Sequence, residues 1–201
     1  MANVNVLAKL SLATAGAAVV ALSVAGTAQA SSGFAGSYDP TNWNFNNTNA
    51  NGFVNTTGAP ASITITGGNN GSGQPGQTAY TTTAAASGLV SFDWSYETDD
   101  LDGSSFDPFF FLLDGVFTQI SVNGLFDTQT GMFSQFVNEG NTFGFAVNTT
   151  DNALGAASAT ISNFHAPQAV PEPTSMIGIL GLGAFGVTSL RKRKQQATVK
   201  A

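Results

Sequence analysis

The segment Leu89-Val90-Ser91-Phe92-Asp93-Trp94-Ser95-Tyr96 alternates apolar and polar side chains along its whole length. A period of two belongs to a β-strand covered on one side. It places Val90, Phe92, Trp94 and Tyr96 on a core face and Ser91, Asp93 and Ser95 toward solvent. The same period recurs upstream in Ile63-Thr64-Ile65-Thr66, which closes on Gly67-Gly68. Downstream it recurs in Phe143-Gly144-Phe145-Ala146-Val147 and in Ala157-Ser158-Ala159-Thr160-Ile161-Ser162-Asn163-Phe164. Phe109 to Leu113 is a continuous apolar run, which suits a strand covered on both sides or one at an edge of the core, and Val116 to Val122 and Met132 to Val137 complete the set. Turn chemistry separates these runs at Asp102-Gly103, Asp114-Gly115, Asn123-Gly124, Glu139-Gly140-Asn141 and Asp151-Asn152. Asp114-Gly115 between two apolar runs is a strong hairpin signal.

Composition agrees. The body is rich in Phe and Thr, which favour strands, and in Gly and Asn, which favour turns. No helical period is sustained outside the two ends of the chain, and no repeat is long enough for a solenoid or propeller. Short strands with frequent turns imply an all-β fold, an antiparallel β-sandwich of jelly-roll type with a Phe-rich core. Asn42 to Asn55 and Gly67 to Gln77 read as long surface loops.

Charge is distributed unevenly. The chain has six basic residues, and all lie at its ends: Lys9, Arg191, Lys192, Arg193, Lys194 and Lys200. No Lys or Arg occurs from Ser31 to Leu190, whereas all twelve acids lie between Asp39 and Glu172. A purely anionic body repels phosphate backbones, which excludes nucleic acid as its partner. With no cysteine there is no disulfide framework, thiolate metal site or thiol nucleophile.

The ends read as routing signals. Lys9, the apolar stretch Leu10 to Val24 and Ala28-Gln29-Ala30 form a secretory signal peptide over residues 1–30, with cleavage by signal peptidase after Ala30. At the other end, the motif Pro171-Glu172-Pro173 within residues 170–174 is followed by an uncharged apolar stretch. That stretch, residues 175–190, reads as a transmembrane helix. A basic tail follows over residues 191–201, in which Arg191, Lys192, Arg193 and Lys194 act as a stop-transfer cluster held on the cytoplasmic side. The folded body is thereby bounded as residues 31–169.

This C-terminal order, Pro-Glu-Pro, a short hydrophobic helix and Arg-Lys-Arg-Lys, resembles a PEP-CTERM protein-sorting signal; such tails are also labelled an ice-binding-protein C-terminal domain. The resemblance implies a Gram-negative bacterium that makes exopolysaccharide. It further implies export through the inner membrane and a transient anchor there, removed by an exosortase that recognises Pro171, Glu172 and Pro173. The protein would then reside at the cell surface or outside the cell. The resemblance covers only the tail and implies nothing about the activity of the body.

Within the body, Glu97 to Asp107 gathers Glu97, Asp99, Asp100, Asp102 and Asp107 with no basic residue to pair with. Carboxylates held this close need solvent or a counter-ion, and an oxygen-rich loop with a Gly turn suits Ca²⁺. Asp99, Asp100, Asp102 and Asp107 are the expected ligands, with Asp93 and Asp114 as further candidates. The alternative is a solvated acidic loop. Phe106, Phe109 and Phe110 offer either an apolar platform or core.

Catalytic sets are scarce. His165 is the only histidine, placed at the end of the last expected strand, so a histidine zinc site cannot be assembled, and a Ser-His-Asp triad would rest wholly on this one residue, for which a surface or capping role is the ordinary reading. Two carboxylates suffice for a glycosidase, which leaves polysaccharide hydrolysis as the least favoured reading. The sequence points to a non-enzymatic exported protein acting in adhesion or exopolysaccharide organisation, with anionic exopolysaccharide as a partner. A Ca²⁺-dependent carbohydrate-binding module is the alternative.

Overall fold

The structure is a computed structural model that describes residues 29–124 and 128–169, with side chains from residue 32 onward. The expected signal segment up to Ala28 and the membrane helix and basic tail lie outside the described residues.

Among the described residues, eleven strands pair antiparallel into two sheets. They are β1 (Gln29–Ser32), β2 (Asn44–Thr48), β3 (Phe53–Asn55), β4 (Ser62–Thr66), β5 (Gly76–Thr83) and β6 (Gly88–Thr98), followed by β7 (Phe109–Leu113), β8 (Val116–Gln119), β9 (Gln129–Val137), β10 (Thr142–Thr149) and β11 (Ala157–Gln168). One sheet has the order β3-β4-β11-β6-β9, with β1 on the end of β11; the other has the order β2-β5-β10-β7-β8. From β4 onward the chain winds between the two sheets so that first pairs with last and second with next to last. That is the wiring of a jelly roll. The described residues thus bear out the antiparallel sandwich.

The deciding segment forms the middle of β6, and its alternation holds: Val90, Phe92 and Tyr96 are buried, while Ser91, Asp93 and Ser95 face outward with the neighbouring Ser62, Thr64, Ser158, Thr160 and Ser162. Hydroxyl pairs bridge the outward face across strands, Thr64 to Thr160 and Thr66 to Ser158, each at 2.8 Å. In β11 the alternation runs through Ala157, Ala159 and Ile161 and then slips to Phe164 and Ala166. The slip is a bulge, and Asn163 within it adopts φ 47°. The extra residue turns Phe164 inward, and the Asn163 Nδ2 donates to Asp93 Oδ2 at 2.7 Å.

Asp114-Gly115 makes the expected hairpin between β7 and β8, both residues having positive φ (49° and 79°) as a type I′ turn requires. The Asp114 carboxylate accepts from Asn141 Nδ2 at 2.7 Å and from the Thr142 amide at 2.8 Å, so it serves the turn.

Three expectations need correction. The stretch Asn42 to Asn55 is not a loop throughout, since it supplies the edge strands β2 and β3, and the stretch read as ending at Gln77 gives way to β5 at Gly76. His165 does not end its strand, because β11 continues to Gln168 on backbone pairing with β1. Asn-rich sequence forms strands here because ladder partners on β4 and β5 outweigh its turn preference.

The core is aromatic and is closed by residues from the irregular N-terminal segment. Phe34, Tyr38 and Trp43 are all buried. Trp43 stacks on Tyr80 with ring centres 4.9 Å apart and on Phe145 at 5.6 Å, and its indole Nε1 donates to the Tyr38 carbonyl at 3.0 Å. Phe34 stacks on Phe164 at 4.6 Å. The Tyr38 hydroxyl donates to the Pro167 carbonyl, tying the segment to β11. Truncating Trp43 to Ala should lower unfolding stability by about 3–5 kcal/mol, because it removes ring contacts to Tyr80, Phe143 and Phe145 in one sheet and to Phe164 in the other. Urea or guanidinium unfolding followed by circular dichroism measures it; a loss below about 1 kcal/mol would contradict this packing role.

Candidate functional site

The acidic loop between β6 and β7 packs against the loop between β10 and β11. The Asp99 amide donates to the Ala156 carbonyl at 3.0 Å, and the Leu101 amide to the Leu154 carbonyl at 3.4 Å. Gly155 sits at φ 149°, and a Cβ there would collide with the backbone of Asp99 and Asp100, so the approach of the two loops requires glycine. Further along, the Thr150 amide donates to the Phe106 carbonyl at 2.8 Å, and the Tyr96 hydroxyl holds the Asp107 carbonyl at 2.8 Å.

This packing divides the four expected ligands. Asp99 and Asp102 are exposed, whereas Asp100 is 2% and Asp107 0% accessible. Asp100 Oδ1 accepts from the Asp102 amide at 2.7 Å, which leaves its Oδ2 buried without a hydrogen bond. Both carboxylate oxygens of Asp107 are buried without one. Burial is the main force raising the pKa of Asp107, to about 7, and repulsion from Asp100 and Asp151 adds to it; polar contacts with the Thr149 side chain and the Ala157 backbone offset part of the rise. Asp100 is raised as well, chiefly by burial, with Asp151 and Asp102 adding repulsion and the Asp102 amide opposing it. Asp151 is the group that sequence spacing missed. It lies in the facing loop, so only the fold brings it near. Among the described residues no three acidic or histidine side chains converge as a ready metal shell.

The remaining candidates go elsewhere. Asp93 is committed to Asn163 on the outward face of the other sheet. Phe109 is fully buried in the core, whereas Phe106 and Phe110 are half-buried. His165 is exposed in mid-strand, in register with Ser91 and Ser32. Ala30 lies in β1, so cleavage after it would leave Ser31 and Ser32 paired to β11; Ala28, the Pro171-Glu172-Pro173 motif and Arg191 to Lys194 lie outside the described residues.

A second feature is the outward face of the five-stranded sheet. Strand parity turns Ala79, Ala146, Leu112 and Phe110 away from the main core, and they form a small apolar cluster of their own. Phe117 on β8 meets Phe110 edge to face at 5.6 Å and is 42% exposed. Gln77 and Asn148, opposite each other on β5 and β10, join through their side-chain amides at 3.0 Å on the same face. Gly144 cannot carry a Cβ, which would strike the Tyr80 carbonyl, so the centre of this face stays low. Round the edge of the sheet, a cavity of about 380 Å³ is lined by Phe111, Leu113, Val116, Thr118 and Gln135.

Against known proteins, residues 169–194 match the family model of the PEP-CTERM protein-sorting motif. The tail is a PEP-CTERM sorting motif. It marks an exported protein sorted at the cell envelope, and it implies processing by an exosortase. No curated protein matches the sequence. Among solved structures, the chain is similar to a family 35 carbohydrate binding module from Clostridium thermocellum, at 14% identity and a TM-score of 0.34, over 67% of this chain and 98% of that one. A CBM4 structure matches at 14% identity and 0.33, over 66% of this chain and 92% of that one. A CBM35 from Cellvibrio japonicus matches at 16% identity and 0.30, over 62% and 86%.

The buried carboxyl sets a pH dependence. A carboxyl whose pKa is raised on folding supports the fold fully below its unfolded value, near 3.8, and that support is lost as pH rises through about 7. In chelator-treated protein the melting temperature should therefore fall between pH 4.5 and 7.5, by roughly 5–10 °C. Asp107→Asn should remove most of that slope, leaving the smaller part due to Asp100. Thermal melts across the pH range check it, and a flat wild-type profile would count against the assignment.

Proposed function

We propose that the exported body is a non-catalytic polymer-binding module of the cell surface or extracellular matrix, acting in adhesion or exopolysaccharide organisation. The observation that carries this reading is the outward face of the five-stranded sheet. A sugar ring presents C–H groups that pack on aromatic faces and hydroxyls that pair with planar amides, and Phe110 and Phe117 beside Gln77 and Asn148 supply both. The low centre around Gly144 and Ala146 gives an extended chain room to lie across the strands.

The charge distribution narrows the polymer. With no Lys or Arg between Ser31 and Leu190, the body has no side chain with which to pair a uronate or sulfate directly. Neutral stretches of polysaccharide suit the face; anionic ones would need a bridging divalent cation. The non-catalytic reading is supported by the placement of His165, exposed and away from the acidic loops, and by the burial of Asp100 and Asp107 beneath that loop pair.

Two experiments test it. Full-length protein should co-sediment with exopolysaccharide isolated from the producing cells, and Phe117→Ala should weaken that binding at least tenfold while leaving the fold intact. Equal binding by wild type and variant would remove the face from consideration, and release of reducing sugar would revive the hydrolase reading. Replacing Pro171, Glu172 and Pro173 with Ala should leave the protein in the membrane fraction at its unprocessed length; normal release would contradict exosortase sorting.

A further inference from the structure

We infer that the junction of the β6–β7 loop with the β10–β11 loop is a structural site for one hard divalent cation of the Ca²⁺ type, held by the carboxylates of Asp107 and Asp100. This stands apart from polymer binding, since the junction lies among loops and not on the outward sheet face.

Three observations converge. Asp107 offers two buried oxygens and Asp100 a third, none of them hydrogen-bonded. A buried carboxylate without a partner is strongly unfavourable, so folded proteins either pair such groups, protonate them or bring in a metal. An ion pair is closed to them, because Ser31 to Leu190 contains no Lys or Arg and the one histidine is exposed on β11, and the neutral groups nearest Asp107, the Thr149 side chain and the Ala157 backbone, leave both its oxygens without a close hydrogen bond. The backbone beside the two carboxylates is also held by the protein itself: the Tyr96 hydroxyl pins the Asp107 carbonyl, and the Asp99 amide is bonded to the Ala156 carbonyl.

Two carboxylates neutralise one divalent charge, and Asp151 in the facing loop deepens the negative field around it. The remaining positions of a six- to eight-coordinate Ca²⁺ would fall to neutral oxygens, which the two loops carry in abundance as carbonyls and hydroxyls. The smaller Mg²⁺ demands a stricter octahedron and gives up its water reluctantly, so a site of two carboxylates completed by loop carbonyls and hydroxyls suits the larger ion. The ligand set differs from the one the sequence suggests, because Asp99 and Asp102 are exposed and only add to the surface potential. Bound there, the ion ties the β6–β7 loop to the β10–β11 loop.

The test uses full-length protein in detergent, stripped with chelator and titrated with Ca²⁺ at pH 7.5. The melting temperature should rise by several degrees and saturate, with a clearly smaller rise for Mg²⁺. Asp107→Asn should abolish the rise, whereas Asp99→Asn and Asp102→Asn should retain it. Should Asp107→Asn fail to fold, Tb³⁺ luminescence on the wild type, displaced by Ca²⁺ at a stoichiometry of one, reads the same site. No Ca²⁺-dependent shift in the wild type overturns the inference. So does a shift that survives in Asp107→Asn or disappears in Asp99→Asn.

Discussion

A folded body that carries acids but no Lys or Arg must settle its carboxylates on neutral donors. Asp39 accepts from the Thr41 amide and hydroxyl, Asp93 from the Asn163 amide, Asp114 from Asn141 and the Thr142 backbone, and Asp151 from the Ala153 backbone. Each of these acids fixes a local piece of chain: a cap, a bulge, a hairpin or a loop. The abundant Asn and Thr take the place that Lys and Arg fill in most proteins. Asp107 is the exception, being buried with neither oxygen hydrogen-bonded, and the acidic loop pair is where the neutral-donor solution runs out.

The same economy shapes the core. With few long charged side chains to shield an edge, the interior is closed by flat rings. Phe145 touches Trp43, Phe92, Phe109, Phe111 and Phe164 from the middle of its sheet. Such rings bury large apolar areas with few rotamers to freeze, which suits a body rich in Gly and Asn that gives up much backbone entropy on folding.

What could be read from the chain beforehand follows from the range of the interactions concerned. The inward faces of β4, β6 and β10 and the hairpin at Asp114-Gly115 are set by neighbours a few residues away, and alternation reveals them. β2 and β3 owe their existence to ladder partners far along the chain, so their Asn-rich sequence reads as loop. Trp43 is buried from a segment without periodicity, and the bulge at Asn163 appears only as a broken alternation whose direction the sequence does not announce. At the acidic loop, spacing selects four aspartates but cannot separate the buried pair from the exposed pair. That division depends on a second loop nearly fifty residues downstream, which also brings Asp151. The sorting motif, by contrast, is read by another protein as a linear string, and it is legible for that reason.

The outermost strands carry a further consequence. β3 has 3 residues and β8 has 4, and both leave ladder groups facing water at the rim of a sheet. Many proteins guard such rims with lysine, a means this body lacks. What keeps one copy from adding its edge to another is brevity at β3 and β8 and, at the nine-residue edge β9, the mutual repulsion of like-charged particles. That repulsion reaches only about 8 Å at physiological ionic strength and shrinks further as salt rises. The resistance of this protein to edge-to-edge association should therefore follow the ionic medium into which it is exported: strongest where ions are scarce and weakest where they are plentiful.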